Sequence, residues 1–202
     1  MERIIEPTEL QLKFSKRLPY IVLASSSPNR KALLEKGGTK VRVFSPDVDE
    51  KRDESDPIGT MLRIVKAKFK AYLDSKEFDP NSFAIAADTL VLKDGKLLGK
   101  PIDIEDARNM LSMLSGDRQT VLTAVALQIP QRKDEFFVDS ADVVFKKLTP
   151  ADIDSYLFTN EWNGAAGGYR LQKTGYKLVE YIDGDWTTVV GLPLKAILEH
   201  LS

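Results

Sequence analysis

The chain contains no cysteine, and its one histidine, His200, stands two places from the last residue. These two scarcities remove whole classes of chemistry. Disulfides, thiol nucleophiles and cysteine-ligated zinc are impossible. A Ser-His-Asp triad would have to recruit its base from the last turn of the final helix, so His200 is expected to be solvated there, complementing the negative helix end. Net charge is scarce too: 29 Lys and Arg face 30 Asp and Glu, for a formal charge of −1. No global basic field draws such a chain to nucleic acid or to a membrane surface. No apolar run approaches the ~18 residues of a membrane helix, and the first residues are too charged for a signal peptide, so a cytoplasmic protein is expected. The P-loop pattern and the dinucleotide fingerprint are missing as well. The chemistry left to an enzyme of this composition falls to carboxylates, lysines, arginines and a hard divalent metal held by oxygen ligands.

What the chain does contain is typical of a globular domain: 202 residues, 43% hydrophobic and 29% charged. Residues 1–19 read as an extension without a recognisable motif, ahead of a single domain over 20–202. Strand signals fall at Tyr20–Ala24, Val41–Ser45, Phe83–Ala87, Thr89–Leu92, Leu97–Leu98, Val121–Ile129, Phe136–Lys146 and Leu178–Ile182. Asp94-Gly95 supplies the positive φ of a hairpin turn. Helix signals alternate with the strands. From Pro57 to Leu73, Ile58, Met61, Leu62, Val65, Phe69, Tyr72 and Leu73 keep to one face. Further helices are expected from Asp103 to Leu114, from Pro150 to about Thr159 and from Leu192 to Leu201. Such alternation, broken by hairpins, predicts an α/β fold with a mixed sheet.

The most informative segment is Leu23-Ala24-Ser25-Ser26-Ser27-Pro28-Asn29-Arg30. An apolar strand ends in three hydroxyls; Ser27 then suits an N-cap and Pro28 the first helical position. Free N–H groups, serine hydroxyls and an arginine at one helix start can hold an anion such as phosphate, although an ordinary capped turn has the same pattern. Ala84-Ile85-Ala86-Ala87-Asp88 places a carboxylate directly after an apolar strand, where it can bind metal or activate water. Gly99-Lys100-Pro101 offers a lysine beside a rigid turn. Asp47, Asp49, Glu50 and Asp53 form an acidic stretch that a solvated loop would also explain. Lys68 lies near the edge of the apolar helix face and could turn into a cleft. The glycines of Asn163–Gln172 permit close backbone approach to a ligand or make plain turns. In Val189–Leu194, packing and helix initiation account for the pattern.

Taken together, these segments resemble the Maf family of nucleoside triphosphate pyrophosphatases, also called septum-formation inhibitors. The likeness runs from Ile21 to Leu201 through Leu23–Pro28, Ala87-Asp88-Thr89, Gly99-Lys100-Pro101, Leu114-Ser115-Gly116, Ala166–Tyr169 and Val190–Leu194. It implies an elongated mixed sheet flanked by helices, with two lobes around a nucleotide cleft, and a homodimer. The implied reaction hydrolyses a nucleoside triphosphate to the monophosphate and pyrophosphate with Mg²⁺ or Mn²⁺. By position, Asp88 matches the catalytic carboxylate and Glu50 a second cleft carboxylate, the two being the implied metal ligands. Ser25, Ser27, Arg30, Lys68 and Lys100 match the substrate-binding set. Asn29, Thr89 and Gln172 occupy the positions that mark substrate branches. Thr89 and Gln172 resemble the dTTP/UTP branch. Asn29 fits neither the arginine common in the family nor the tryptophan of the 7-methyl-GTP branch, which stays the alternative beside a low-turnover regulator of septum formation.

Overall fold

A computed structural model of the chain describes residues 8–53 and 55–202. Seven strands form one sheet in the order β2-β1-β3-β5-β6-β7, with β4 paired to the free part of β3. The strands are β1 (Tyr20–Ala24), β2 (Lys40–Phe44), β3 (Ala84–Lys93), β4 (Lys96–Leu98), β5 (Arg118–Gln128), β6 (Glu135–Phe145) and β7 (Val179–Asp183). β1 pairs in parallel with β2 and β3, whereas β3/β4 and β6/β7 are antiparallel, so the sheet is mixed as the alternation predicts. Asp94 and Gly95 both take positive φ, 51° and 76°, and close the β3/β4 hairpin.

The helices are α1 (Glu9–Arg17), α2 (Pro28–Lys36), α3 (Pro57–Leu73), α4 (Ile104–Leu114), α5 (Pro150–Leu157), α6 (Trp186–Val190) and α7 (Leu194–His200). Local chemistry explains where they begin. Ser27, Asp56, Asp103 and Thr149 each accept a backbone N–H of the first turn, with proline next at α2, α3 and α5. α1 lies in the segment read as a featureless extension. Thr8 and Gln11 form its capping box, a Thr-x-x-Gln signal present in the sequence.

The chain divides into two compact units. Of the described residues, one holds those up to Thr89 together with Thr123–Asp139 and Gly191–Ser202; the other holds Leu90–Leu122 and Ser140–Val190. In the first unit, β1 is buried over Ile21–Ala24 and α3 lays Met61, Ile64, Val65, Phe69 and Tyr72 into the core. Burying each of these larger side chains contributes about 1.5–3 kcal/mol. α1 adds Phe14 and Gln11, whose amide donates to the Leu33 carbonyl at 2.8 Å. In the second unit, Leu111 and Leu114 of α4, Val143 and Phe145 of β6, and Tyr169 are buried. Phe145 and Tyr169 meet edge to face at 5.0 Å.

Three expectations change. Ile58 is 45% exposed because it belongs to the first turn of α3, while Ile64, absent from the expected face, is fully buried. The two strands expected on either side of Asp88 are one strand, β3, with Asp88 inside it. His200 is not simply solvated: its ring stacks on Phe137 at 4.0 Å and Nδ1 contacts the Glu135 carboxylate. β6 brings both partners to the end of α7, a non-local pairing that the C-terminal sequence does not announce.

Candidate active site

The edge of the parallel strands positions the site. Leu23 of β1 is in register with Ile85 of β3, so β1 ends near Ala86 and Asp88 lies beyond it on a strand that continues. A mid-strand residue thus sits past the carboxyl end of its parallel neighbour, where α/β sheets gather ligands. Asp88 is 3% exposed. A carboxylate so buried must be paired, and both oxygens are. Oδ1 accepts from Lys68 Nζ at 3.1 Å and Oδ2 from Arg52 Nη2 at 2.7 Å.

Lys68 reaches Asp88 from α3, with its ammonium buried inside the otherwise apolar face. The same Nζ lies 2.8 Å from Glu50 Oε1. Glu50 follows β2 in an irregular stretch and is half exposed. Arg63, also on α3, donates to the carbonyls of Asp49 and Lys51, on either side of Glu50, at 3.2 and 2.7 Å. Two carboxylates and two cations therefore converge from β3, α3 and one loop.

The serine turn joins this cluster through Arg30, which is 7% exposed. Its guanidinium donates to Ser25 Oγ (2.9 Å), Thr89 Oγ1 (2.9 Å) and the Gly191 carbonyl (2.7 Å). Burial pushes its pKa below the ordinary arginine range, opposed by nearby Asp88 and Glu50 and reinforced by Arg52. Arginine keeps its proton in proteins even so. Ser25 Oγ accepts twice, from Arg30 and from the Ser27 N–H at 3.2 Å. Its own proton is left to donate outward. Ser27 Oγ caps α2 by accepting the Arg30 N–H. Asn29 follows Pro28 and carries the first backbone donor of α2, since proline has none.

Ser25, Ser27, Asn29, Arg30, Glu50, Lys68, Asp88 and Thr89 all lie in the first unit. Thr89, expected from the resemblance to mark the substrate branch, has its hydroxyl between Arg30 and Thr123 Oγ1, 2.9 Å from each. Lys100 and Gln172 belong to the second unit and are exposed there. The neighbouring Gly99 carbonyl accepts the Gly167 N–H at 3.0 Å, tying the lysine turn to the glycine-rich loop.

Sequence reasoning missed three participants. Arg52 was legible only as a cation inside an acidic stretch, two residues after Glu50. Thr123 carried no local signal. Gly191, read as packing and helix initiation, receives Arg30 Nε and takes φ +107°; a Cβ there would lie 3.1 Å from Thr89 Oγ1. Glycine is required at that position by both backbone and space.

Carboxylates paired with buried cations at the edge of parallel strands are the kinds of group that phosphoryl chemistry uses, with oxygen ligands and positive charge doing the work. The chain belongs to the Maf-like protein family, whose model matches residues 20–202. It is 40% identical over 183 residues to the dTTP/UTP pyrophosphatase of Acholeplasma laidlawii, covering 90% of this chain and 94% of that protein. To the dTTP/UTP pyrophosphatase of Pyrococcus furiosus it is 41% identical over 179 residues, covering 89% and 92%. Among solved structures, the Staphylococcus aureus Ham1 protein superposes with a TM-score of 0.37 at 14% identity, over 63% of this chain and 72% of that one.

Proposed function

We propose that this protein hydrolyses dTTP and UTP to the nucleoside monophosphate and pyrophosphate. The observation that carries the reading is Asp88, a buried carboxylate held between Lys68 and Arg52 beside the Ser25–Arg30 turn. The relatives' names supply the substrate class. Attack of water on the α-phosphorus builds negative charge on the nonbridging and leaving oxygens, and preset cations stabilise it without reorganising. Lys68 supplies such a charge, the Ser25 hydroxyl a hydrogen bond, and Arg30 holds that hydroxyl in place. Asp88 orients the water or takes its proton.

The residues present fit a divalent metal. No group of three or more acidic or histidine side chains converges among the described residues, but Mg²⁺ ordinarily takes one or two carboxylates and completes its shell with waters and substrate phosphates. Asp88 and Glu50, both within reach of Lys68 Nζ, supply two. When bound, the metal would offset charge on the phosphates. The roles of Lys100 and Gln172 and the homodimer rest on family resemblance. Among the described residues no helix is long and apolar enough to cross a membrane.

The deciding experiment incubates the protein with a panel of triphosphates and Mg²⁺ or Mn²⁺ and separates the products. Monophosphate and pyrophosphate, with the highest kcat/KM for dTTP and UTP, are expected. Orthophosphate release would overturn the reaction, and a preference for 7-methyl-GTP or another purine would move the base assignment.

A further inference from the structure

Arg52 is the one cation at Asp88 that stands outside the residues matched to the family, and its surroundings are unlike those of its companions. Lys68 is anchored in a helix, has 6% of its side chain exposed, and holds Glu50 as a second acceptor. Arg52 lies in a stretch, 45–53, without regular secondary structure, and a quarter of its side chain is exposed. Its Nη2 donates to Asp88 Oδ2 and, at 3.2 Å, to the Thr89 carbonyl. Its Nη1 is buried with no hydrogen-bond partner among the described residues. An unmatched guanidinium N–H inside a protein is costly, and it is satisfied at once by a strong anionic acceptor.

Arg52 also lines an open surface depression with Asp49, Lys51, Asp53, Asp56, Thr60 and Arg63. The residue therefore touches Asp88 and at the same time borders open space beside the loop. Charge adds a second argument. Arg30, Lys68 and Arg52 stand against Asp88 and Glu50, so the cluster has one more cation than carboxylates.

We propose that Arg52 is an exchange residue of the active site, which leaves Asp88 Oδ2 for the oxyanions of the triphosphate as a divalent cation takes that oxygen. The proposal rests on the pyrophosphatase reading for the identity of the anion. A carboxylate oxygen has two lone pairs, so one hydrogen bond does not fill Oδ2, but the guanidinium charge beside that oxygen repels a divalent cation, and departure of Arg52 relieves the repulsion. Lys68 is the worse candidate for release, being buried and shared with Glu50. Arg52 competes with the metal for one oxygen, and once displaced it presents a planar pair of donors suited to phosphate. The two effects have opposite signs, which makes the exchange separable from a structural role.

Mn²⁺ affinity is measured without nucleotide, by the electron paramagnetic resonance signal of the free ion, for wild type, Arg52→Ala and Arg52→Lys. Binding of α,β-methylene-dTTP is measured by calorimetry on the same proteins. Arg52→Ala is expected to bind Mn²⁺ alone about tenfold more tightly, because a charge-assisted competitor is gone, and the nucleotide analogue about tenfold more weakly. Arg52→Lys, which keeps the charge and loses the fork, should fall between. In an Asp88→Asn background the Mn²⁺ difference should vanish. Unchanged or weaker Mn²⁺ binding by Arg52→Ala would overturn the exchange, since a residue that merely shapes the site weakens both ligands together. Failure of the wild type to bind the analogue would count against the pyrophosphatase reading, and the Mn²⁺ comparison would then decide the competition for Asp88 by itself.

Discussion

Asp88 neutralises two cations in the interior, which gives its removal two separable effects. Asparagine keeps the shape but leaves Lys68 to the half-exposed Glu50 and Arg52 to the Thr89 carbonyl. Breaking a buried charged pair exposes the partner's desolvation, and with Glu50 remaining the expected loss is about 1–2 kcal/mol. In a chain of this length that lowers the melting midpoint by roughly 2–8 °C. Turnover of dTTP should fall far more, by about 10²–10⁴-fold, the range for a lost general base. A melt paired with a pyrophosphate assay tests both. Activity near wild type would move the catalytic role to Glu50. Ser25 and Arg30 could be singled out from sequence because strand ends and N-caps are local, and Asp88 because it interrupts an apolar run, although that run continues past it as β3. The Asp88–Arg52 pair was not legible, because it spans 36 residues and depends on how one irregular stretch returns to β3.

At the scale of elements, α1 is the part whose importance is easiest to underestimate. Its Phe14 is 1% exposed, and Arg17 donates to the Leu201 carbonyl at 2.9 Å, joining α1 to the end of α7. The close approach of α1 to α2 depends on Gly37, where a Cβ would meet the Gln11 carbonyl oxygen at 2.5 Å. Gly37 has an ordinary negative φ, so alanine should be harmless by backbone preference alone. Backbone contact decides otherwise. Gly37→Ala is expected to cost about 1–3 kcal/mol through overpacking, and Phe14→Ala about 3–5 kcal/mol through the cavity it leaves. Urea unfolding of each variant checks these values. A neutral Gly37→Ala would show that α1 can shift away from α2 without loss.

For the molecule as a whole, the pyrophosphatase reading predicts coupling between ligand and stability. A ligand that binds only the folded state stabilises it by about 2.7 kcal/mol at a hundred times its Kd. With Mn²⁺ and α,β-methylene-dTTP together, the melting midpoint should rise by roughly 5–10 °C. UTP-type analogues should match dTTP-type ones, and purine analogues should give less. The opposite ranking in differential scanning calorimetry would place the base preference elsewhere.

Periodicity, capping residues and turn glycines determined the mixed α/β class, the positions of nearly all strands and the starts of α2, α3, α4 and α5, because these depend on contacts within a few residues. Six short motifs in order determined the family. Tertiary structure alone decided that Asp88 lies inside a strand and still beyond the end of β1, since that follows from the stagger between two strands. It also decided that Lys68 is buried and that Arg30 spends its three bonds on Ser25, Thr89 and Gly191. The physical reason is that a buried charge takes its meaning from partners that only folding brings within 3 Å, and no spacing in the sequence encodes that meeting.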